Sequence, residues 1–481
     1  MNYRMIFNII GQLLRVEAAL MLLPLLVSFY YGEELSMVYG ITMALLLIAS
    51  SAMTAPKPKT QRIYAREGFV TVALSWILMS VFGALPFVLS GAIPSFTDAL
   101  FETVSGFTTT GSTILTDIEA LPKSILFWRS FTHWIGGMGV IVFVLAILPQ
   151  KGTQSMHILR AEVPGPTVGK LVSKTAVTAR ILYLIYGALT VSEIICLKIC
   201  GLPLYDSVTT AFSTAGTGGF SIMNASIAAY DNLAAEIVIS IFMLMFGINF
   251  NLYYLLFMKQ VKRIFKSEEL WVYLGIVGAA TLIIAADIYP LVNSVGTALR
   301  QSGFQVASVI TTTGFITADF NKWPAMSQLI LVVIMMIGSC AGSTGGGLKI
   351  GRVIILIKAG ARELRRAVNP SRVKSIQLDS QVIEKETVTM TCTYFMIYML
   401  ITAVSALLIS FNNFDITTTV TSVITCINNV GPGLSLVGPV ENFAKFSDFS
   451  KIILSLDMLI GRLEIFPMIL LFMPSVWKKS V

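Results

Sequence analysis

Apolar runs long enough to cross a bilayer follow one another along almost the whole chain, and that succession limits the fold more than any motif does. A membrane-spanning helix needs about 20 mostly apolar residues. Ten segments qualify, at roughly 5–30, 36–55, 68–90, 125–148, 180–200, 233–258, 270–290, 326–357, 388–411 and 449–473. Of the 481 residues, 55% are hydrophobic and 12% charged, where a soluble domain carries about 45–50% and about 25%. A water-soluble enzyme is thereby excluded, and an all-α polytopic membrane protein is expected.

The chain holds 34 Lys and Arg against 26 Asp and Glu, a formal charge of +8. In a soluble protein that excess suggests nucleic acid. In a membrane protein it reports orientation, because basic residues stay on the cytoplasmic side; no nucleic-acid partner is expected. With the N-terminus inside, the inner connections hold Lys57, Lys59, Arg62 and Arg66, then Lys151, Arg160, Lys170, Lys174 and Arg180. Lys259, Lys262, Arg263 and Lys266 follow, and then the dense run from Lys349 to Lys385. The outer connections collect Glu33, Glu34, Asp98, Asp117, Glu119, Asp206, Asp231, Asp319, Asp415 and Glu441. Both termini are therefore expected inside. Cys196, Cys200, Cys340, Cys392 and Cys426 lie in or beside apolar stretches with no framework or zinc spacing. Two histidines, His133 and His157, leave little room for imidazole chemistry. The apolar run from Met5 to Tyr31 is too long for the core of a cleavable signal.

Four outer connections, roughly 91–124, 201–232, 291–325 and 412–448, are too long and too apolar for plain loops. Each reads as a polar start, a short helix rich in Thr, Ser, Val and Phe, and then a glycine turn. The first is TDALFETVSGFTTTGSTI (97–114), turning at Gly111. The second is YDSVTTAFSTAGTGGFS (205–221), turning at Gly218 and Gly219. The third is GTALRQSGFQVASVITTTGFIT (296–317), turning at Gly314, and the fourth DITTTVTSVITCINNVGPGLS (415–435), turning at Gly431. Each lies between two spanning helices. The expected architecture is a pair of additional N-terminal helices (1–66) and four equally oriented repeats of helix, re-entrant half-helix and helix (67–179, 180–267, 268–387 and 388–481) around a central pore. Inverted repeats, common in coupled transporters, would alternate in orientation.

Irregular backbone at membrane depth is tolerated only inside protein or beside a watery cavity. A Thr/Ser-rich segment ending at glycine exposes carbonyl oxygens, and four around one axis could replace a cation's hydration shell. The half-helices would aim their partly negative C-terminal ends at the turns. The acidic outer side would concentrate cations at the mouth. One such glycine alone is better explained by close helix packing; four in equivalent places reverse that and point to a cation pore.

These segments resemble the Trk/Ktr/HKT superfamily of potassium transporters, and within it the TrkH-like membrane subunits. The resemblance covers nearly the whole chain and is carried by SGFTTTGST (105–113), TGGFS (217–221), TTTGF (311–315), NNVGPG (428–433), GSCAGSTGGGLKIGR (338–352) and GRLEIFP (461–467). It implies a K⁺ filter at Thr109, Thr110, Gly111, Thr217, Gly218, Gly219, Thr312, Thr313, Gly314, Asn429, Val430 and Gly431, its turns being Thr110-Gly111, Thr217-Gly218, Thr313-Gly314 and Val430-Gly431. Sodium-preferring plant relatives often carry serine where this chain has Gly111, so the resemblance implies K⁺. One glycine per repeat offers fewer carbonyl layers than a TVGYG filter, which implies looser selectivity over Na⁺.

Six glycines between Gly338 and Gly351 interrupt the second helix of the third repeat, and each is unfavourable in a helix by about 1 kcal/mol relative to Ala. By the resemblance this stretch is an intramembrane gate, formed by Gly338, Gly342, Ser343, Thr344, Gly345, Gly346, Gly347 and Lys349 together with Arg462. A close-packed helix crossing is the plain alternative for the glycines. For Arg462 it is a structural pair with Asp457 or Glu464. The run Gly342 to Lys349 imitates a nucleotide-cradling loop but lacks the Gly-Lys-Ser/Thr ending. The resemblance further implies a homodimer in the bacterial cytoplasmic (inner) membrane, working with a cytosolic nucleotide-binding RCK-type subunit. The transported ion is K⁺, no cofactor is expected in this chain, and no enzyme activity is expected. A symporter coupled to H⁺ or Na⁺ is the alternative. It would call for a carboxylate along the pore, for which Glu102, Asp457 and Glu464 are the candidates.

Overall fold

In the computed structural model the chain is almost wholly helical, and the structure describes residues 1–56, 64–139, 175–369, 375–379 and 381–477. Among them six helices are long and apolar enough to cross a membrane, or seven if the bent pair Leu233–Phe246 and Phe250–Phe257 is one span. This is a multi-pass membrane protein. The second half of the 125–148 run, His157, and Lys57, Lys59, Arg62, Lys151, Arg160, Lys170, Lys174, Arg372 and Lys374 lie outside the described residues.

Two helical segments, Tyr3–Tyr31 and Ser36–Thr54, come first. They touch where small residues let backbones approach: the Ser50 hydroxyl donates to the carbonyl of Gly11 at 2.6 Å. Four helix–half-helix–helix units follow. In the first, Ala65–Gly83 leads to the half-helix Phe96–Phe107 and then to Lys123–Gly137. The second is Thr175–Ile199, Leu204–Gly216 and Leu233–Phe246. The third is Glu268–Val292, Val295–Ile310 and Ala325–Ile337, and the fourth Lys385–Ile409, Ile416–Ile427 and Asp448–Arg462.

The half-helices start where side chains satisfy their first N–H groups. Ser95 accepts from Asp98, Ser294 from Thr297 and Asp415 from Thr418, while the second half-helix starts after Pro203 with Asp206 in its first turn. Many of their threonine hydroxyls pair within the helix. Thr103, Thr108, Thr214, Thr311 and Thr421 each donate to the carbonyl four residues earlier, so a Thr-rich segment stays helical in apolar surroundings.

Among the described residues the second helices break before their apolar runs end in the second, third and fourth units, and Lys123–Gly137 is what is described of the first. Lys123–Gly137 gives out at Gly136, where a Cβ would lie 1.8 Å from the carbonyl oxygen of Phe107. Asp448–Arg462 gives out next to Gly461, whose Cβ would lie 2.0 Å from the carbonyl oxygen of Ile427. Leu233–Phe246 bends by 90° before Phe250–Phe257. Ala325–Ile337 is separated from Ile350–Val368 by the glycine loop. Unbroken spans at 233–258 and 449–473 are therefore not what forms, and the run 326–357 is interrupted at the expected glycine loop. The helices stop where they press against the carbonyl ends of the half-helices or fold into the loop between units.

Candidate functional site

All four half-helices end alike. The backbone enters the left-handed region at Thr109, Thr217, Thr312 and Asn429, with φ of 55°, 54°, 58° and 54°. The next residue donates its N–H five residues back: Thr110 to Ser105 (2.9 Å), Gly218 to Ser213 (2.9 Å), Thr313 to Ser308 (2.8 Å) and Val430 to Thr425 (3.0 Å). This is the six-to-one closure of a helix that ends at a left-handed residue. A glycine then takes φ of 83°, 75°, 82° and 101° at Gly111, Gly219, Gly314 and Gly431. The repeat unit is thus Thr-Thr-Gly, Thr-Gly-Gly, Thr-Thr-Gly and Asn-Val-Gly. In the second turn the residue equivalent to Gly111 is Gly219, not Gly218. A Thr-Gly pair read along the sequence puts that turn one residue out of register, because Gly218 takes the place that Thr110 holds in the first.

The turns close on one another in a ring. A Cβ on Gly111 would lie 2.0 Å from the carbonyl oxygen of Gly218, and one on Gly219 1.9 Å from that of Thr313. A Cβ on Gly314 would lie 2.2 Å from the carbonyl oxygen of Val430, and one on Gly431 2.8 Å from that of Thr110. Each glycine therefore seats the middle carbonyl of the following turn, and the fourth turn returns to the first. The segments leaving the turns repeat the circuit: Ile118 N–H donates to Asn224 (2.7 Å), Ala228 N–H to the Ile316 carbonyl (3.1 Å), Ser435 N–H to Asn321 (3.0 Å) and Phe443 N–H to the Thr113 carbonyl (2.8 Å). Inside the ring, Asn429 donates across to Thr110 Oγ1 at 2.9 Å.

Behind the turns stand groups with supporting positions. Glu102 is buried and accepts from Thr113 (2.9 Å), from Ile114 N–H (3.0 Å) and from Arg129 Nε (2.6 Å). It ties the first half-helix to the segment after its turn. Arg129 in turn donates to the Ser221 carbonyl at 2.8 Å and lies over the Phe220 ring. His133 is buried and stacks on Phe220 at 4.2 Å between centroids, directly behind Gly218. Asp457 accepts from Ser405 at 2.7 Å. Glu17 and Glu193 are also fully buried, on spanning helices. Their signal was a single acid inside an apolar run.

The loop 338–349 is non-helical and packs against the carbonyl ends of the third and fourth half-helices. Gly346 N–H donates to Thr312 Oγ1 at 2.6 Å. A Cβ on Gly345 would lie 2.8 Å from the Thr311 carbonyl oxygen, and one on Gly346 2.2 Å from that of Asn428. Gly338, Gly342 and Gly347 adopt positive φ. Ser339 and Ser343 share a 2.8 Å hydrogen bond, Thr344 Oγ1 donates to the Phe246 carbonyl at 3.2 Å, and the buried Lys349 ammonium donates to the Gly345 carbonyl. Arg462 reaches this loop, donating to the Thr344 carbonyl at 2.8 Å and to the Gly137 carbonyl at 2.7 Å. Glu464 forms its ion pair with Arg352. The structure thus brings together the sequence-derived filter residues in one ring and the loop residues with Arg462 beside it.

Residues 35–479 match the TrkH family model, described as cation transport protein. The chain is 37% identical to the Trk system potassium uptake proteins TrkH of Salmonella typhimurium and of Escherichia coli, over 100% of this chain and of each relative. It superposes on the crystal structure of the potassium transporter TrkH from Vibrio parahaemolyticus with a TM-score of 0.89 and 33% identity, covering 99% of this chain and 100% of that one. With its helical architecture matched end to end, the chain belongs to the TrkH family of cation transport proteins.

Proposed function

We propose that this chain takes up potassium across the bacterial cytoplasmic membrane by channel-like passage through the four-turn ring, with loop 338–351 and Arg462 as its gate. The observation that supports the reading best is the cyclic seating of each turn's carbonyl against the next turn's glycine. Such a ring offers oxygens in place of water to a dehydrated cation, and the four half-helix ends add partial negative charge. The relatives are named potassium uptake proteins. Arg462, among the carbonyls of Thr344 and Gly137, sets a positive charge beside the loop; there it would delay cations until the loop moves. The name Trk system speaks for further components. A homodimer with a cytosolic nucleotide-binding partner, both termini cytoplasmic, fits the placement of the basic segments.

Cation flux into liposomes holding the purified protein tests this reading. The expected result is K⁺ flux down its own electrochemical gradient without an added proton or sodium gradient, and a weaker K⁺ preference in Gly111→Ser. Flux that needs an imposed proton or sodium gradient would favour the symporter. Persistent silence after the cytosolic partner and nucleotide are supplied would overturn the pore.

A further inference from the structure

We propose that Glu269 is a positioning residue that holds the 338–351 loop in its resting conformation, and that Glu268 beside it links this hold to the basic surface of the protein. The inference rests on the gating role assigned to the loop above. Glu269 stands in the first turn of Glu268–Val292 and is buried. Its Oε1 accepts from two backbone N–H groups at once, Ala341 at 2.7 Å and Gly351 at 3.0 Å. One donor lies inside the non-helical loop and the other in the helix that follows it. Gly351 is in the first turn of Ile350–Val368, where N–H groups have no partner within their own helix. Hydrogen bonds to a carboxylate are among the stronger ones. A Cβ on Gly351 would lie 3.0 Å from Oε1, so glycine leaves the space that the carboxylate occupies.

The adjacent residue gathers three surface elements. Ser267, before the helix, makes no side-chain cap. Asp379, far along the chain, supplies one by accepting the Glu268 N–H at 2.7 Å. The Glu268 carboxylate binds the Lys358 ammonium of Ile350–Val368 at 2.6 Å, and the same ammonium donates to the Gln377 carbonyl at 2.8 Å, in the strand paired with Gln381–Val382. A displacement of that helix or hairpin therefore pulls on the residue next to the clamp. On its other side the loop is held by Thr312 and Arg462. Bonds that exist in one conformation only bias the equilibrium toward it, and their loss shifts the population away.

The test is K⁺ flux and the K⁺/Na⁺ preference of the full-length protein in liposomes, for Glu269→Ala, Glu269→Gln and Gly351→Ala. Glu269→Ala is expected to raise K⁺ flux about tenfold, as the loss of a charged hydrogen-bond clamp would, with the preference unchanged because the filter turns are untouched. Glu269→Gln, whose amide oxygen still accepts, is expected near the unsubstituted rate. Flux at or below the unsubstituted level in Glu269→Ala, an altered ion preference, or a Gln variant that behaves like Ala would each overturn the clamp. If Glu269→Ala fails to fold, Gly351→Ala decides: it crowds the same oxygen and should raise flux, and an unsubstituted rate there overturns the proposal. Absence of K⁺ flux from the unsubstituted protein would sink the pore reading itself; flux from it with no response to these substitutions sinks the clamp alone.

Discussion

At each turn of the ring a glycine sits at positive φ with the next turn's carbonyl in the place of its side chain. Adding that side chain must move backbone. Gly314→Ala, with its Cβ 2.2 Å from the Val430 carbonyl oxygen, is expected to abolish selective flux, whereas Gly296→Ala at the start of the same half-helix meets nothing within 4 Å. The latter should leave flux unchanged and raise stability by about 0.4–1 kcal/mol, chiefly by restricting the unfolded chain; thermal unfolding in detergent reads the difference. The buried pair of Glu102 and Arg129 makes a second residue-scale prediction. Glu102→Gln leaves a buried guanidinium without its counter-charge and should lower stability by about 3–5 kcal/mol. Combined with Arg129→Met, the loss should be much less than additive, and a double-mutant cycle measures it. The glycines were legible as turn residues, but the register of the second turn was not. Thr217, Gly218 and Gly219 offer two alignments, and only the left-handed conformation at Thr217 chooses between them. His133 was unreadable for a different reason: its neighbour Phe220 is remote in sequence, and only the fold stacks them.

Among the elements, the half-helices depend on caps at their polar ends. Asp415 is exposed and accepts the Thr418 N–H at 3.0 Å; Asp415→Ala should lower stability by about 1 kcal/mol. Hydrogen bonding from Thr418 holds the Asp415 carboxyl below its ordinary value of 3.8. Its contribution is accordingly present above that pH and is lost as the pH falls through the lower value of the folded protein. The gap in melting temperature between Asp415→Ala and the unsubstituted protein should close on acidification below pH 3.8. Hydropathy revealed where spans begin because burial in lipid is a property of composition. It did not reveal where second helices stop. The loop announced itself through Gly345, Gly346 and Gly347, but the break at Glu464 and Ile465, both at positive φ, contains no glycine or proline. The break is followed by Pro467, which cannot continue an unbroken helix, and it comes just after Gly461, which lies close against the carbonyl of Ile427.

For the whole molecule, orientation is the expectation most open to direct test. A membrane-impermeant thiol reagent applied to intact cells should label Asp231→Cys, and should label Lys266→Cys only after permeabilisation, each compared with the unsubstituted protein. The reverse pattern would turn the chain over and put the loop on the outer side of the ring. Sequence made the fourfold plan legible, since each unit repeats the same order of apolar run, Thr-rich helix and glycine. An arrangement around one axis was expected as well; the contact that closes it, Gly431 against the Thr110 carbonyl, was not readable because it joins segments far apart in the chain.

That closure has a genetic consequence. A ring assembled from four identical subunits suffers every mutation four times at once, whereas here one codon alters one quarter of the circle. Asn429 and Val430 occupy places that threonine fills in the third turn, and among the described residues the glycine loop belongs to the third quarter. Each quarter can therefore change in sequence separately, as the differing second residues Thr110, Gly218, Thr313 and Val430 of the four turns already do.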